Sequence, residues 1–283
     1  MNNFIYTIRG GGVWSRILQC AIEPLVATEF DNVYFILEPI EEHTGDDQRL
    51  PEAVQAVLDH KARMREYGID NPYDHILNFV LDQEVDQSYE NKGMLHVGVM
   101  HDRRNPIETS PWLPEYRRVL SKIRFKNHLR SRADAFARNN NIGPRTLGVH
   151  VRLTTMVFHI KSGNYPEVNF DSYCNIIDEE MRSGLYDNIY VASDNDESII
   201  KLKLRYGDLI VSQPDMLRLE TETIAKRDDW NWEYHMFFNK TFWQESVVEV
   251  LTLSKCGGLI CTDSNFSNAA LLFTDSIAKV RRA

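Results

Sequence analysis

The chain has 283 residues, enough for one large domain or two modest ones. Hydrophobic residues at 43% and charged residues at 26% are the composition of an ordinary globular protein. A formal net charge of -9 excludes a general nucleic-acid binder, which needs a basic surface to displace counterions. No apolar run reaches the roughly 18 residues of a transmembrane helix. The first dozen residues, "MNNFIYTIRGGG", have neither the basic start nor the apolar stretch of a signal peptide, so a cytoplasmic protein is expected. Cys20, Cys174, Cys256 and Cys261 lack CxxC spacing; they predict buried free thiols, with no zinc pattern and no disulfide framework.

In chain order, "FIYTIRGGGVWSRILQ" predicts a strand, a glycine loop and a helix. "NVYFILEP" predicts a second strand, stopped by Pro39. "PEAVQAVLDHKARMREYG" predicts an amphipathic helix, with Pro51 in its first turn, Gly68 at its end and a Val54, Val57, Leu58 stripe. "MLHVGVM" predicts a third strand. A stretch with three prolines then leads into one basic helix over "YRRVLSKIRFKNHLRSRADAFARNNN", which stops before Gly143-Pro144. The rhythm then repeats: strand "TLGVHVR", helix "FDSYCNIIDEEMRSG", strand "NIYVASD", helix "NDESIIKLKLRYG", strand "LIVSQPD", helix "WQESVVEVLTLSKC", strand "GGLICTD" and a helix opening at "SNFSNAALLF". Strands alternating with helices predict an α/β protein with mainly parallel sheets. Two such halves predict two Rossmann-like domains facing a cleft, 1–143 and 144–283.

Three loops and one strand end carry chemistry. Gly10-Gly11-Gly12-Val13-Trp14-Ser15 fits G-x-G-x-x-S, and Glu38 ends the next strand. In a dinucleotide site those glycines admit a pyrophosphate and the acid holds the ribose; the alternatives are a loop lining another ligand's cleft or a plain tight turn. Asp194-Asn195-Asp196 forms a D-x-D at the start of a helix: Asp194 or Asp196 is its N-cap, or the loop faces a ligand, or it holds a metal. Ser264-Asn265-Phe266-Ser267 sets hydroxyls, an amide and free backbone N–H groups at a strand-to-helix turn, which predicts a phosphate cradle or a simple cap by Ser264. All three loops follow predicted strands, where open α/β sheets bind ligands. Arg152 ends a strand in the same way, and its forked guanidinium suits phosphate oxygens. His150 either donates to the same group or is a satisfied core residue.

"GVHVR", "IYVASDND" and "EVLTLSKCGGLICTDSNFSNAA", in this order, resemble the fucosyltransferase superfamily that joins the α1,6-fucosyltransferases, the nodulation fucosyltransferases and the protein O-fucosyltransferases. The resemblance is concentrated between residues 117 and 272 and extends to the glycine-rich loop "GGGVWSRILQ". It implies a GT-B-like fold and an inverting, metal-independent transfer from GDP-fucose to a glycan acceptor, with no cofactor. Arg152 would be the essential arginine on the β-phosphate and His150 would sit beside it. Asp194 would line the donor site with Gly11 and Gly12, Glu249 would read guanine, and Ser264, Asn265, Phe266 and Ser267 would wrap the diphosphate. Two positions depart from the family pattern: Leu153 stands where many members have a second arginine, and Glu249 replaces the usual Asp.

Other readings stay open: the same fold with GDP-mannose or UDP-xylose, an NAD-linked oxidoreductase built on the glycine loop, or a binding protein without turnover. Glu38, His101 and Asp102 are candidates for the general base that takes the acceptor's proton. The aromatic-rich "WNWEYHMFFNKTFW" either lines a pocket or is core.

Overall fold

The computed structural model describes residues 3–8, 32–37, 82, 107–109, 113–121, 123–152, 169–214, 216, 218, 240–262, 264–274 and 276–283. Two short apolar segments, β1 (Asn3–Ile8) and β2 (Asn32–Leu37), pair in parallel and in register from Asn3↔Asn32 to Ile8↔Leu37. They end where the sequence predicts, immediately before the glycine loop and Glu38. Those loops, the helix at 51–68, the strand at 94–100, Cys20, the base candidates His101 and Asp102, Leu153 and most of the aromatic-rich segment lie outside the described residues.

The larger sheet has five parallel strands: β3 (Thr146–Val151), β4 (Asn188–Ser193), β5 (Ile210–Val211), β6 (Gly258–Cys261) and β7 (Lys279–Arg282). Their order is β5-β4-β3-β6-β7. The chain therefore starts in the middle, builds outward to one edge, then returns to build the other side. The reversal falls between β3 and β6, and in open α/β sheets ligands bind in the crevice that such a reversal leaves at the strands' carboxyl ends.

Period-two alternation sends side chains to both faces, and both are buried. Leu147, Val149, Val151, Ile189, Val191 and Ile260 pack on one side against α3 (Phe170–Arg182) and α4 (Asp196–Tyr206). Tyr190, Ala192, Leu259 and Cys261 pack on the other, against α2 (Asn127–Asn139), α5 (Lys240–Leu253) and α6 (Asn265–Leu272). Each fully buried aliphatic side chain contributes about 1.5–3 kcal/mol. Cys174, Cys256 and Cys261 are buried free thiols.

The basic stretch expected as one helix is two. α1 (Leu113–Leu120) stops, and α2 begins at Asn127. Between them Ile123 and Phe125 are buried, and Phe125 meets Phe273 edge-on at 5.1 Å. A continuous helix carries its residues past a fixed surface every 3.6 positions, whereas the break lets both side chains reach one core. Arg117 of α1 donates to the Leu271 carbonyl at 3.1 Å, and Arg132 of α2 pairs with Glu245 of α5 at 2.7 Å. Ile107, α1, α2 and the residues Ile123 and Phe125 between them thus share the core of the five-stranded sheet.

Strand β7 carries three charges in four residues and has no apolar signature. Lys279 and Arg281 point one way and clamp buried Glu180 of α3 at 2.7 and 2.9 Å. Arg282 points the other way, to Glu108 and to the Thr262 carbonyl at 3.1 Å. At the start of β6, Gly257 is obligatory: a Cβ there would land on the Pro144 carbonyl oxygen.

Candidate functional site

Strand β3 delivers two groups to the crevice. His150 is its penultimate residue, paired in register with Cys261 of β6 and Ala192 of β4. It points to the α6 side and is buried. Arg152 follows the last strand residue, half-buried, where the chain leaves the sheet.

Strand β6 delivers the opposite wall. Past Thr262 the chain turns into α6, whose N-cap is Ser264. The Ser264 hydroxyl accepts from the Ser267 backbone N–H at 3.2 Å. The Ser264 and Ser267 hydroxyls are 3.0 Å apart, and Ser267 Oγ lies 2.7 Å from His150 Nδ1. Phe266 stacks on the imidazole, with ring centres 4.4 Å apart and planes 22° apart. His150, Ser264, Phe266 and Ser267, singled out separately in the sequence, therefore form one cluster. Asn265 is exposed on the first turn of α6.

Burial holds the imidazole neutral, and the Arg152 cation adds to the effect; together they push the His150 pKa down to about 3. The cluster presents a neutral ring, two hydroxyls and a helix N-terminus, with a guanidinium two residues away. That set can receive an oxyanion on neutral hydroxyls, a helix N-terminus and a cation.

Two further hydroxyls reach this end of the sheet. Thr262 follows β6, and Tyr173 rises from α3; both are buried, and neither hydroxyl makes a well-directed hydrogen bond among the described residues. Burial raises the Tyr173 pKa, and the neighbouring Thr262 side chain and Arg152 backbone pull it partly back, which places its hydroxyl beside the β3 exit. Nothing local in the sequence marks either residue; only the register of the folded sheet does.

The remaining candidates lie one strand over. Asp194 sits just past β4, half-buried. The helix cap in the D-x-D is neither aspartate: Asn195 caps α4, accepting from the Ser198 N–H at 2.8 Å. Asp196 is exposed, 3.7 Å from Arg218. Among the described residues, no three His, Cys, Asp or Glu side chains are placed to hold a metal.

Glu249, on α5, is buried and meets Arg218 at 3.3 Å, with both side chains at most 3% exposed. Arg218 also donates to the carbonyls of Gln213 and Met216, at 2.9 and 3.4 Å. The ion pair is a single long contact rather than a bidentate fork, so burial outweighs it. The Glu249 pKa is pushed up to about 8, against the pull of Arg218 and with help from the charges of Asp194 and Glu245. Arg218 and its neighbour Gln213 were not anticipated. The available signal was an arginine set among Met216, Leu217 and Leu219.

No protein-family description matches the chain, and no curated protein sequence matches it. Among solved structures it is similar to the α1,6-fucosyltransferase NodZ co-crystallised with GDP, at 14% identity and TM-score 0.48 over 96% of this chain and 92% of that one. It is similar to the fucosyltransferase NodZ from Bradyrhizobium, at 13% identity and TM-score 0.48 over 96% and 93%. It is also similar to POFUT1 in complex with GDP, at 11% identity and TM-score 0.47 over 99% and 98%. Both NodZ structures are of fucosyltransferases. Identities of 11–14% leave this chain's own function to be read from its site.

Proposed function

We propose that the chain is an inverting glycosyltransferase that moves a sugar from a nucleoside diphosphate donor, GDP-fucose, to a glycan acceptor, without a metal. One observation carries the reading: His150, Ser264, Phe266 and Ser267 converge at the reversal between β3 and β6, with Arg152 at the strand exit. A cap-and-hydroxyl turn beside a guanidinium suits a diphosphate. Departure of the sugar concentrates negative charge on the β-phosphate, and a guanidinium already in place stabilises that charge more in the transition state than in the ground state.

In this reading residues 144–283, with α1 and α2 packed on the same core, hold the donor, and the acceptor falls to the residues before them. Glu249 stands at the base end. Its carboxylate already engages Arg218, so a guanine using it shares that group. The oxidoreductase alternative finds less support. It rests on the glycine loop after β1 and on Glu38, which lie outside the described residues, whereas the clustered side chains lie on the larger sheet.

The test is a thermal-shift panel of GDP-fucose, GDP-mannose, UDP-xylose, UDP-glucose and NAD, followed by turnover with and without EDTA. A ligand at 100 times its Kd stabilises by about 2.7 kcal/mol. Stabilisation by the GDP compounds and EDTA-resistant turnover are expected. Stabilisation by NAD alone would sink the assignment, and turnover that needs added Mn²⁺ would sink metal independence.

A further inference from the structure

Within the cluster, three hydrogen atoms must be placed on a short chain of acceptors. The Ser267 backbone N–H goes to Ser264 Oγ at 3.2 Å. The Ser264 hydroxyl hydrogen has Ser267 Oγ at 3.0 Å and His150 Nδ1 at 3.5 Å as its partners among the described residues. The hydrogen between Ser267 Oγ and His150 Nδ1, across 2.7 Å, belongs to one or the other.

Suppose Nδ1 carried it. Ser267 would then accept from the ring and donate to Ser264, which already accepts from the Ser267 N–H. The Ser264 hydrogen would be left without an acceptor in a buried site, which costs about 1–3 kcal/mol. In the opposite direction both hydroxyl hydrogens are used: Ser264 donates to Ser267, Ser267 donates to Nδ1, and Nε2, which then holds the ring proton, is not among the buried atoms left without a partner. A neutral imidazole that accepts at Nδ1 carries its proton on Nε2.

We propose that Ser267, backed by Ser264, is a positioning residue that fixes His150 in the Nε2–H tautomer, so that the ring offers one uncharged N–H donor to an anionic ligand at the β3–β6 crevice. The anion's identity as a nucleoside diphosphate rests on the function proposed above; the direction of the hydrogen bonds does not. Phe266, stacked on the ring, holds its plane. Burial and the Arg152 cation independently keep the second proton off. The device places a donor beside Arg152 without setting two cations against each other.

The test is nitrogen NMR of the full chain labelled in its nine histidines, with His150 assigned by its disappearance in His150→Asn. In the ligand-free protein His150 should show protonated Nε2 and bare Nδ1, unchanged between about pH 6 and 8. Ser267→Ala should yield a mixture of tautomers and weaken GDP in calorimetry by roughly ten-fold, the loss of one well-aimed donor to a charged group. A wild-type ring with its proton on Nδ1, or a charged ring, overturns the proposal. So does a folded Ser267→Ala that keeps the wild-type tautomer. If Ser267→Ala does not fold, the wild-type spectrum decides alone. GDP that binds neither protein, with the tautomer as assigned, overturns the nucleotide reading while the positioning role stands.

Discussion

The carboxyl end of the larger sheet carries two polar groupings, and they are built on opposite principles. Between β3 and β6 the groups are neutral: an imidazole and two hydroxyls hydrogen-bonded in series at a helix start, with half-buried Arg152 at the strand exit acting on the ring. Between β4 and β5 the grouping is closed around one cation: Arg218 and Glu249, whose pKa is pushed up to about 8, face each other out of solvent, and backbone carbonyls take up further Arg218 donors. An anion entering the first adds to donors that are already aimed. A base entering the second must take a share of a carboxyl group that Arg218 already engages. Under the proposed function, preorganisation for phosphate and specificity for a base would fall to regions with different costs of engagement.

The contrast is most readily broken at Arg218. Its removal leaves the buried Glu249 carboxyl without its partner, and above about pH 8, where that carboxyl is ionised, breaking a buried pair from one side costs about 3–5 kcal/mol. Arg218→Ala should therefore show a large loss in urea unfolding above that pH and a smaller one below it. Arg218→Met with Glu249→Leu should recover most of it, because burial rather than attraction dominates this pair. A double variant no more stable than Arg218→Ala would mean that the pair is not the closed unit described.

At the other grouping the largest effect should fall on turnover rather than stability. Arg152→Lys keeps the charge and loses the fork. It should fold normally, bind GDP with a modest loss, and lower kcat by roughly 10²–10³, as for one missing donor to a transition-state oxyanion. Retention of more than about a tenth of wild-type kcat at an unchanged melting temperature would remove Arg152 from charge stabilisation.

The two groupings should also respond to pH with opposite signs. His150 has its pKa lowered from 6.5 to about 3, so below 6.5 the unfolded chain takes up a proton that the folded one refuses. The wild type should lose stability relative to His150→Asn as pH falls through that window, by about 1.4 kcal/mol per unit. Glu249 is raised from 4.5 to about 8, so between those values the folded chain keeps a proton that the unfolded one has lost. Against Glu249→Gln the wild type should lose stability as pH rises from 4.5 to 8. Difference curves from parallel urea titrations cancel the other carboxylates. Two curves of the same sign would show that the two environments are not opposed.

The same contrast explains what the sequence made legible. β3, β4 and β6 are apolar runs, because both faces of a parallel sheet are covered, and the turns that follow them stand out by their Ser, Asn and Asp. His150, Ser264, Phe266 and Ser267 could thus be picked one at a time, although their contacts depend on the β3–β6 register. Arg218 could not: a buried charge is defined by its partner, and Glu249 is 31 positions away. β7 escaped notice because its charges are stabilised by Glu180 and Glu108, far off in the chain, rather than by an apolar pattern. The break between α1 and α2 was hidden because good helix formers continue through it, and tertiary burial of Ile123 and Phe125 overrides propensity.

The smallest effect gives the sharpest comparison, because each grouping contains one helix cap of the same kind. Ser264 accepts from the N–H three residues on at 3.2 Å, and Asn195 does the same at 2.8 Å. Both caps are buried. Removing either with alanine should cost about 1 kcal/mol of stability, since each leaves one N–H of a first helical turn without its acceptor. Their effects on ligand binding should part. The Ser264 hydroxyl also donates into the series that ends at His150, whereas Asn195 serves Ser198 and its own helix. Ser264→Ala should weaken GDP several-fold beyond what its stability loss explains, and Asn195→Ala should leave GDP affinity within about two-fold of wild type. Calorimetry at a temperature where both variants are fully folded separates the two effects. Equal losses of affinity would mean that GDP is held across both strand ends, and that the division between a neutral phosphate grouping and a closed charged one does not describe how this protein binds.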